Sequence, residues 1–231
     1  MVKKMNRSLV WCLVLSGLAA FTLVWGCADR KVVQKSIVVP TDLRKILVVA
    51  FRDMNAQTDE RTNVRCPLSG KVFVSGPVDA SAPAFLTDRL LTSLREKAER
   101  DFKLITPQDL WEIQSGLSDS ADNMSELRLM MAVGRAMDAD ALLVGHLYRY
   151  IERVGRNLSV ETPASVAFDV HLVRTSDGRV LWTGYFDETQ KTLMEDMFDI
   201  GRFFAREGKW ITAEQMASAG LDNLLETLNI K

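Results

Sequence analysis

Few side chains in this sequence are equipped for chemistry. The 231 residues include two histidines, His146 and His171, and three cysteines, Cys12, Cys27 and Cys66. Both histidines fall inside runs of strand character, where an isolated imidazole is most often a hydrogen-bonded structural group, so neither is expected to be catalytic. Cys66 sits in Arg65-Cys66-Pro67-Leu68-Ser69-Gly70, which looks like half of a zinc knuckle with Ser69 where a second cysteine would stand. Zinc takes about four ligands. One cysteine and two strand histidines would meet that need only through an accident of tertiary folding, so no metal and no cofactor is expected. Asp187, Glu188, Glu195, Asp196 and Asp199 gather near a strand-to-helix junction, where solvated helix-start charges are a simpler reading than paired acid–base catalysis. The chain has no G-x-x-x-x-G-K-[ST], G-x-S-x-G or H-E-x-x-H pattern. These observations point to a protein that is not an enzyme.

Cys27 is different because of what precedes it. Lys3, Lys4 and Arg7 form a positive cluster, and no charge follows from Ser8 through Ala28. A basic segment, an apolar segment and small residues before a cut site make an export leader. The leader closes on Leu23-Val24-Trp25-Gly26-Cys27, which resembles the bacterial lipobox. That resemblance implies cleavage between Gly26 and Cys27 and attachment of a diacylglycerol and palmitate-class acyl chains to the Cys27 thiol. Trp25 departs from the small residue usual at that place. An uncleaved anchor helix over Leu9–Val24 is the competing reading, since that stretch barely spans a hydrocarbon core. Acyl chains partition at about 0.8 kcal/mol per buried CH₂, so several on one residue make a durable anchor. Ala28 after the cysteine resembles the outer-membrane destination, facing the periplasm.

Composition narrows the partners. Lys plus Arg total 29 against 30 for Asp plus Glu, so no basic field invites nucleic acid. Residues 1–26 hold three cations and no acid, leaving 26 basic and 30 acidic residues from Cys27 onward, a net of −4. With Cys27 modified and Cys12 removed, Cys66 is the remaining thiol, which excludes an internal disulfide. A free thiol on an exposed loop could still pair with another chain. Phe203, Phe204 and Trp210, around Gly208-Lys209, are further candidates for contact, though core packing is the commoner fate of such aromatics.

The elements that must position these groups follow from hydrophobic period. Residues 27–44, with Pro40, read as the lipidated cysteine and a tether, and 45–231 as one α+β domain. Lys45–Phe51 is a continuously apolar strand. Arg52–Ala80 is a long Asn-, Asp-, Gly- and Pro-rich stretch with a short hairpin near Lys71–Val74. Ser81–Arg100 repeats leucine at helical spacing through Leu86, Leu90, Leu91 and Leu94. Phe102–Ile105 reads as a strand, Thr106–Gln114 as a short helix, and Asn123–Met137 as a helix whose methionine stripe is core. From Ala141 the period becomes two. Leu143, Gly145, Leu147 and Ile151 oppose Leu142, Val144, His146, Tyr148 and Tyr150. In the next strand Val166, Phe168, Val170 and Leu172 oppose Ala167, Asp169, His171 and Val173. Ser176-Asp177-Gly178 is a hairpin turn before a strand over Arg179–Asp187. Helices are expected at Thr192–Arg206 and Thr212–Leu228. The order is β-α-β-α-β-β-β-α, a mixed sheet ending in a three-stranded antiparallel run with helices packed on it.

Several stretches together resemble the envelope lipoproteins related to the curli secretion channel (CsgG-like), whose domain is close to the amino-terminal domain of TolB. They are ILVVAF, AFLTDRLLTSL, FKLITPQDL, GRAMDADALLVGHLYRY and VAFDVHLVRTSDGRVLWTGYFDET, over roughly residues 45–190. The most specific part is Gly134, Ala139-Asp140-Ala141 and Gly145, followed by Asp177-Gly178-Arg179-Val180-Leu181-Trp182. Asp138 stands where that family more often has glycine. The family includes secretion pores, periplasmic export rings and activators of penicillin-binding proteins. A pore needs inserted strands of about 9–11 residues each. The link Glu152–Ala164 lacks that length and the apolar alternation. The resemblance therefore implies a protein that docks envelope proteins, or its own copies in a homo-oligomer, and attaches to membrane through lipid. The alternative is a glycan or small-molecule binding module with the 52–79 stretch as a lid.

Overall fold

The computed structural model describes residues 37–55, 61–98, 100–116, 124–156, 159–190 and 211–230. Their centre is a five-stranded mixed sheet. β2 (Lys45–Asp53) lies between β5 (Asp101–Ile105) and β6 (Ala141–Ile151), parallel to both. β9 (Ser165–Arg174) and β10 (Val180–Thr189) continue it antiparallel beyond β6, giving the order β10-β9-β6-β2-β5. The continuous apolar run of β2 is explained by cover on both faces. Ile46 and Val48 enter one core, Leu47 and Val49 the other.

On the first face lie α1 (Ala82–Lys97) and α4 (Ala213–Thr227). Leu86, Leu90 and Leu94 of α1 are fully buried, and each such burial contributes about 1.5–3 kcal/mol against leaving the side chain in water. α4 begins with a reciprocal capping box. Thr212 Oγ1 accepts from the Gln215 amide at 3.1 Å while Gln215 Oε1 accepts from the Thr212 amide at 3.1 Å. Phe51 and Phe168 meet edge to face between these helices and the sheet.

The second face is shared. α2 (Pro107–Gly116) and α3 (Glu126–Ala136) supply Leu110, Ile113, Leu127, Met130 and Val133 to one half. Of the methionine stripe, Met130 is core, Met137 packs against it partly buried, and Met131 is half-buried outside it. The other half is covered by β3 (Asn63–Arg65) and β4 (Val72–Val74), an antiparallel hairpin formed by the long 52–80 stretch. Its alternation presses Phe73 inward and leaves Val72 and Val74 exposed. Past β4 the chain runs beside β6, with Gly76 N–H donating to Tyr148 O at 3.0 Å and Tyr150 N–H to Pro77 O at 2.9 Å. Residues 61–80 are therefore a structured part of the domain.

Two boundaries differ from the expectation. The end of the assigned tether is built into the domain. β1 (Ile37–Val38) pairs in parallel with β11 (Leu228–Asn229), and Val39 and Leu43 are buried, because apolar residues flanking Pro40 close the end of the core. The link after β6 carries a small hairpin, β7 (Val154–Arg156) with β8 (Ser159–Thr162), of strands only three and four residues long. Asp138 has φ 51°, the left-handed region that glycine enters without penalty. No helix among the described residues is long and apolar enough to cross a membrane. The helix expected over Thr192–Arg206 lies outside the described residues, as do Gly26, Cys27, Phe203, Phe204 and Trp210.

Candidate metal centre

The strand alternation of β6 and β9 sends His146, Tyr148, Asp169 and His171 to the second face. In the antiparallel register His146 stands directly opposite Asp169. His171 follows Asp169 by two residues and so shares its side of β9. Thr183 of β10 lies opposite His171. The fourth wall comes from the β3–β4 loop. There the Cys66 amide donates to Lys71 O at 2.8 Å, the Gly70 amide donates to Cys66 O at 2.9 Å, and Gly70 adopts φ 73°. This tight loop turns the Cys66 side chain down onto the sheet. Phe73 stacks on Tyr148 with centroids 4.1 Å apart and 11° between planes, holding the hairpin in place.

Cys66 is thus 1% exposed, against the expectation of a thiol on an exposed loop. At that burial it has no access to a cysteine of another chain. The two histidines, expected to be isolated, have ring centroids 5.7 Å apart. Asp187 is also accounted for: it pairs with the buried Arg149 at 2.6 Å.

Four donor atoms converge. Cys66 Sγ lies 3.3 Å from His171 Nε2 and 3.9 Å from His146 Nδ1. Asp169 Oδ1 is 2.8 Å from His146 Nδ1, and its Oδ2 is 3.1 Å from His171 Nε2. All four residues are buried, and one ligand atom from each falls within 4.8 Å of the others. Around them stands a ring of outer partners. His146 Nε2 bonds Glu126 Oε1 at 3.0 Å, and Arg52 holds that same oxygen at 3.0 Å. His171 Nδ1 bonds Thr183 Oγ1 at 2.9 Å. The Tyr148 hydroxyl donates to Asp169 Oδ2 at 3.0 Å, and the Ser69 amide donates to Cys66 Sγ at 3.3 Å.

These contacts set the charges. Burial alone would raise the Cys66 thiol, but hydrogen bonds with His146, His171 and the Ser69 amide bring it down to about 5. Burial would lower His146, yet bonds to Asp169, Cys66 and Glu126 push it up to about 11. His171 is raised against burial in the same way, chiefly by Asp169. Burial opposes ionisation of Asp169 and Glu126, but the facing imidazoles keep both carboxyls below the usual range.

The arrangement is unlike a cysteine–histidine–aspartate relay. In such a relay the acid holds one imidazole nitrogen and the nucleophile meets the other. Here Cys66 and Asp169 address the same nitrogen of each ring, while the second nitrogen turns outward to Glu126 or Thr183. The sulfur is also shielded from any substrate. One thiol, two imidazoles and one carboxylate aimed at a common point are the donor types that borderline divalent cations take. The alternation places Tyr148 with His146 and Asp169 with His171, but neither these two nor Glu126 stood out as site residues from the sequence. The Asp-x-His spacing at 169–171 was the available signal, since i and i+2 share a strand face.

Beside the centre a cavity of about 250 Å³ is lined by Arg52, Leu110, Trp111, Gln114, Glu126 and Val144. Glu126 Oε2 is buried there without a hydrogen-bond partner.

No protein-family model matches the chain, and no curated protein does. Among solved structures, it is similar to a PelC dodecamer from Paraburkholderia phytofirmans, at TM-score 0.49 and 12% identity over 85% of this chain and 94% of that one. It is also similar to lipoprotein GNA1162 from Neisseria meningitidis, at TM-score 0.38 and 15% identity, covering 71% and 96%. The LpoB C-terminal domain from Escherichia coli matches at TM-score 0.37 and 16% identity, covering 74% and 94%. Likeness at this level transfers no functional residue.

Proposed function

We propose that this chain is a non-enzymatic, lipid-anchored envelope protein whose α+β domain faces the periplasm from the outer membrane and docks other envelope proteins, its own copies included. The observation that carries the reading is the uncharged leader closing on Leu23-Val24-Trp25-Gly26-Cys27. The residues quoted above for the resemblance to curli-channel and TolB-type domains support the same reading. So does the burial of Cys66, His146 and His171, which removes the best nucleophile and bases from contact with any substrate. Because residues 37–43 belong to the domain, only residues 28–36 separate it from Cys27. Nine residues reach at most about 30–32 Å fully extended, so the domain works close to the bilayer. Labelling cells with radioactive palmitate tests the anchor: label is expected in the wild type and absent from Cys27→Ser, and equal label in both refutes it. Crosslinking in intact cells tests docking, and recovery of isolated monomers alone would count against it.

A second reading, a small-molecule or glycan-binding module, rests on the cavity. Trp111, 64% exposed, stands on its wall with Gln114 and Arg52, a stacking surface beside hydrogen-bonding groups. Thermal-shift screening with envelope glycans checks it, since a ligand of the folded state raises the melting temperature by mass action.

A further inference from the structure

We propose that Cys66, His146, Asp169 and His171 form a closed, four-coordinate site for one zinc ion, which clamps the β3–β4 hairpin to the central sheet. The site is independent of the anchoring role and deals with a different part of the molecule.

Four observations carry it. The donors come from three separate segments: a hairpin loop and two paired strands. Together they supply one sulfur, two nitrogens and a carboxylate oxygen. Zinc bonds of about 2.0–2.3 Å in a tetrahedron separate neighbouring ligand atoms by about 3.3–3.6 Å. The Cys66 sulfur lies 3.3 and 3.9 Å from the two imidazole nitrogens, close to that range. The 2.8 and 3.1 Å contacts to the imidazoles come from the two different oxygens of Asp169, so holding an ion requires the carboxylate to turn one oxygen toward the common point. Next, each donor group is oriented by an outer partner: Glu126 and Thr183 on the far imidazole nitrogens, Tyr148 on the carboxylate, and the Ser69 amide on the sulfur. Metal-binding histidines characteristically give their other N–H to a carboxylate or another oxygen acceptor. A central cation requires each ring to turn one nitrogen toward the sulfur and the carboxylate together, and both rings do so.

Charge balance is the third observation. A thiolate and a carboxylate neutralise a dication, while Glu126 is matched separately by Arg52 at 3.0 Å. Finally, the site is closed to bulk solvent. Its four residues are buried, and four protein ligands leave no open position, the mark of a structural rather than a catalytic centre. Thiolate and imidazole donors select zinc or cobalt over magnesium and calcium, which prefer oxygen ligands throughout. The expected consequence is local. Without the ion, the hairpin is held by Phe73 on Tyr148, by Lys71 over the Tyr185 ring at 3.9 Å, and by a few hydrogen bonds.

The test uses the full chain in detergent, purified without chelator, with metal content read by elemental mass spectrometry. One zinc per chain is expected. After chelation, added Co²⁺ should give a sulfur-to-cobalt charge-transfer band and the visible bands of a four-coordinate site, and Zn²⁺ should bleach them by competition. Cys66→Ser should lose the charge-transfer band, and Zn²⁺ should no longer raise its melting temperature. Should that variant fail to fold, Thr183→Val leaves all four ligands in place and is expected to bind zinc about 10–100-fold more weakly. A folded wild type that takes up no Zn²⁺, gives no cobalt spectrum and melts at one temperature with and without Zn²⁺ overturns the proposal. So does a Cys66→Ser protein with wild-type zinc affinity.

Discussion

Tyr148→Phe removes the phenol hydroxyl from the heart of the cluster. The hydroxyl donates to Asp169 Oδ2 at 3.0 Å, and both side chains are inaccessible to water. Burial and the adjacent carboxylate hold the phenol well above its ordinary pKa, so it stays a donor throughout the working range. Phenylalanine keeps the ring and its 4.1 Å stack on Phe73, which leaves packing nearly unchanged. What disappears is a donor to a buried anion. Hydrogen bonds to charged groups contribute about 1.5–3 kcal/mol, and water is excluded from replacing this one. For a domain of this size each kcal/mol moves the melting temperature by about 2–4 °C, so a drop of roughly 3–12 °C is expected by calorimetry. Chemical denaturation should show the same loss with an unchanged denaturant slope, since the surface exposed on unfolding is the same. A loss below about 0.5 kcal/mol, the range of ordinary surface changes, would refute the view that Asp169 depends on Tyr148.

Three further outcomes follow from other parts of the fold. Gly145→Ala places a methyl 2.7–2.8 Å from three carbons of the Phe51 ring, which is itself wedged against Phe168, so a loss of about 1–3 kcal/mol is expected by denaturant titration. Thr212→Ala removes the hydroxyl half of the α4 capping box and should cost about 1 kcal/mol, with a larger effect on amide exchange in the first turn than elsewhere. At the start of α2, the backbone and hydroxyl donors of Thr106 hold the Asp109 carboxyl below its usual range. A depressed folded value gives stability that is present above the unfolded carboxylate pKa and lost as pH falls through the folded one. Amide protection in α2 should therefore fall on acidification below about pH 4, and Asp109→Ala should flatten that dependence, with equal pH profiles counting against the cap.

How much was legible depends on the range of the interaction involved. The helical leucine spacing of 86, 90 and 94 and the alternation from Ala141 onward are local periods, and the structure realises them as α1, β6 and β9. Asp177-Gly178 between alternating runs marked the β9–β10 hairpin for the same reason: the turn is decided within four residues, with Gly178 at φ 70°. The residues 37–43 were read as tether because the strand that Ile37–Val38 pairs with, Leu228–Asn229, lies 191 residues away. No local pattern announces a pairing of that reach.

The donor cluster shows the same division. Sequence alone determined which face of each strand His146, Asp169 and His171 occupy, because a pleated strand alternates with period two whatever surrounds it. Only the tertiary structure decided that β6 and β9 pair in the register setting His146 against Asp169. It alone folded the 61–80 hairpin over that face so that Cys66, 80 residues before His146, supplies the fourth atom. Register and hairpin placement are chosen by burial of the whole sheet face, a sum over many residues that no short motif encodes.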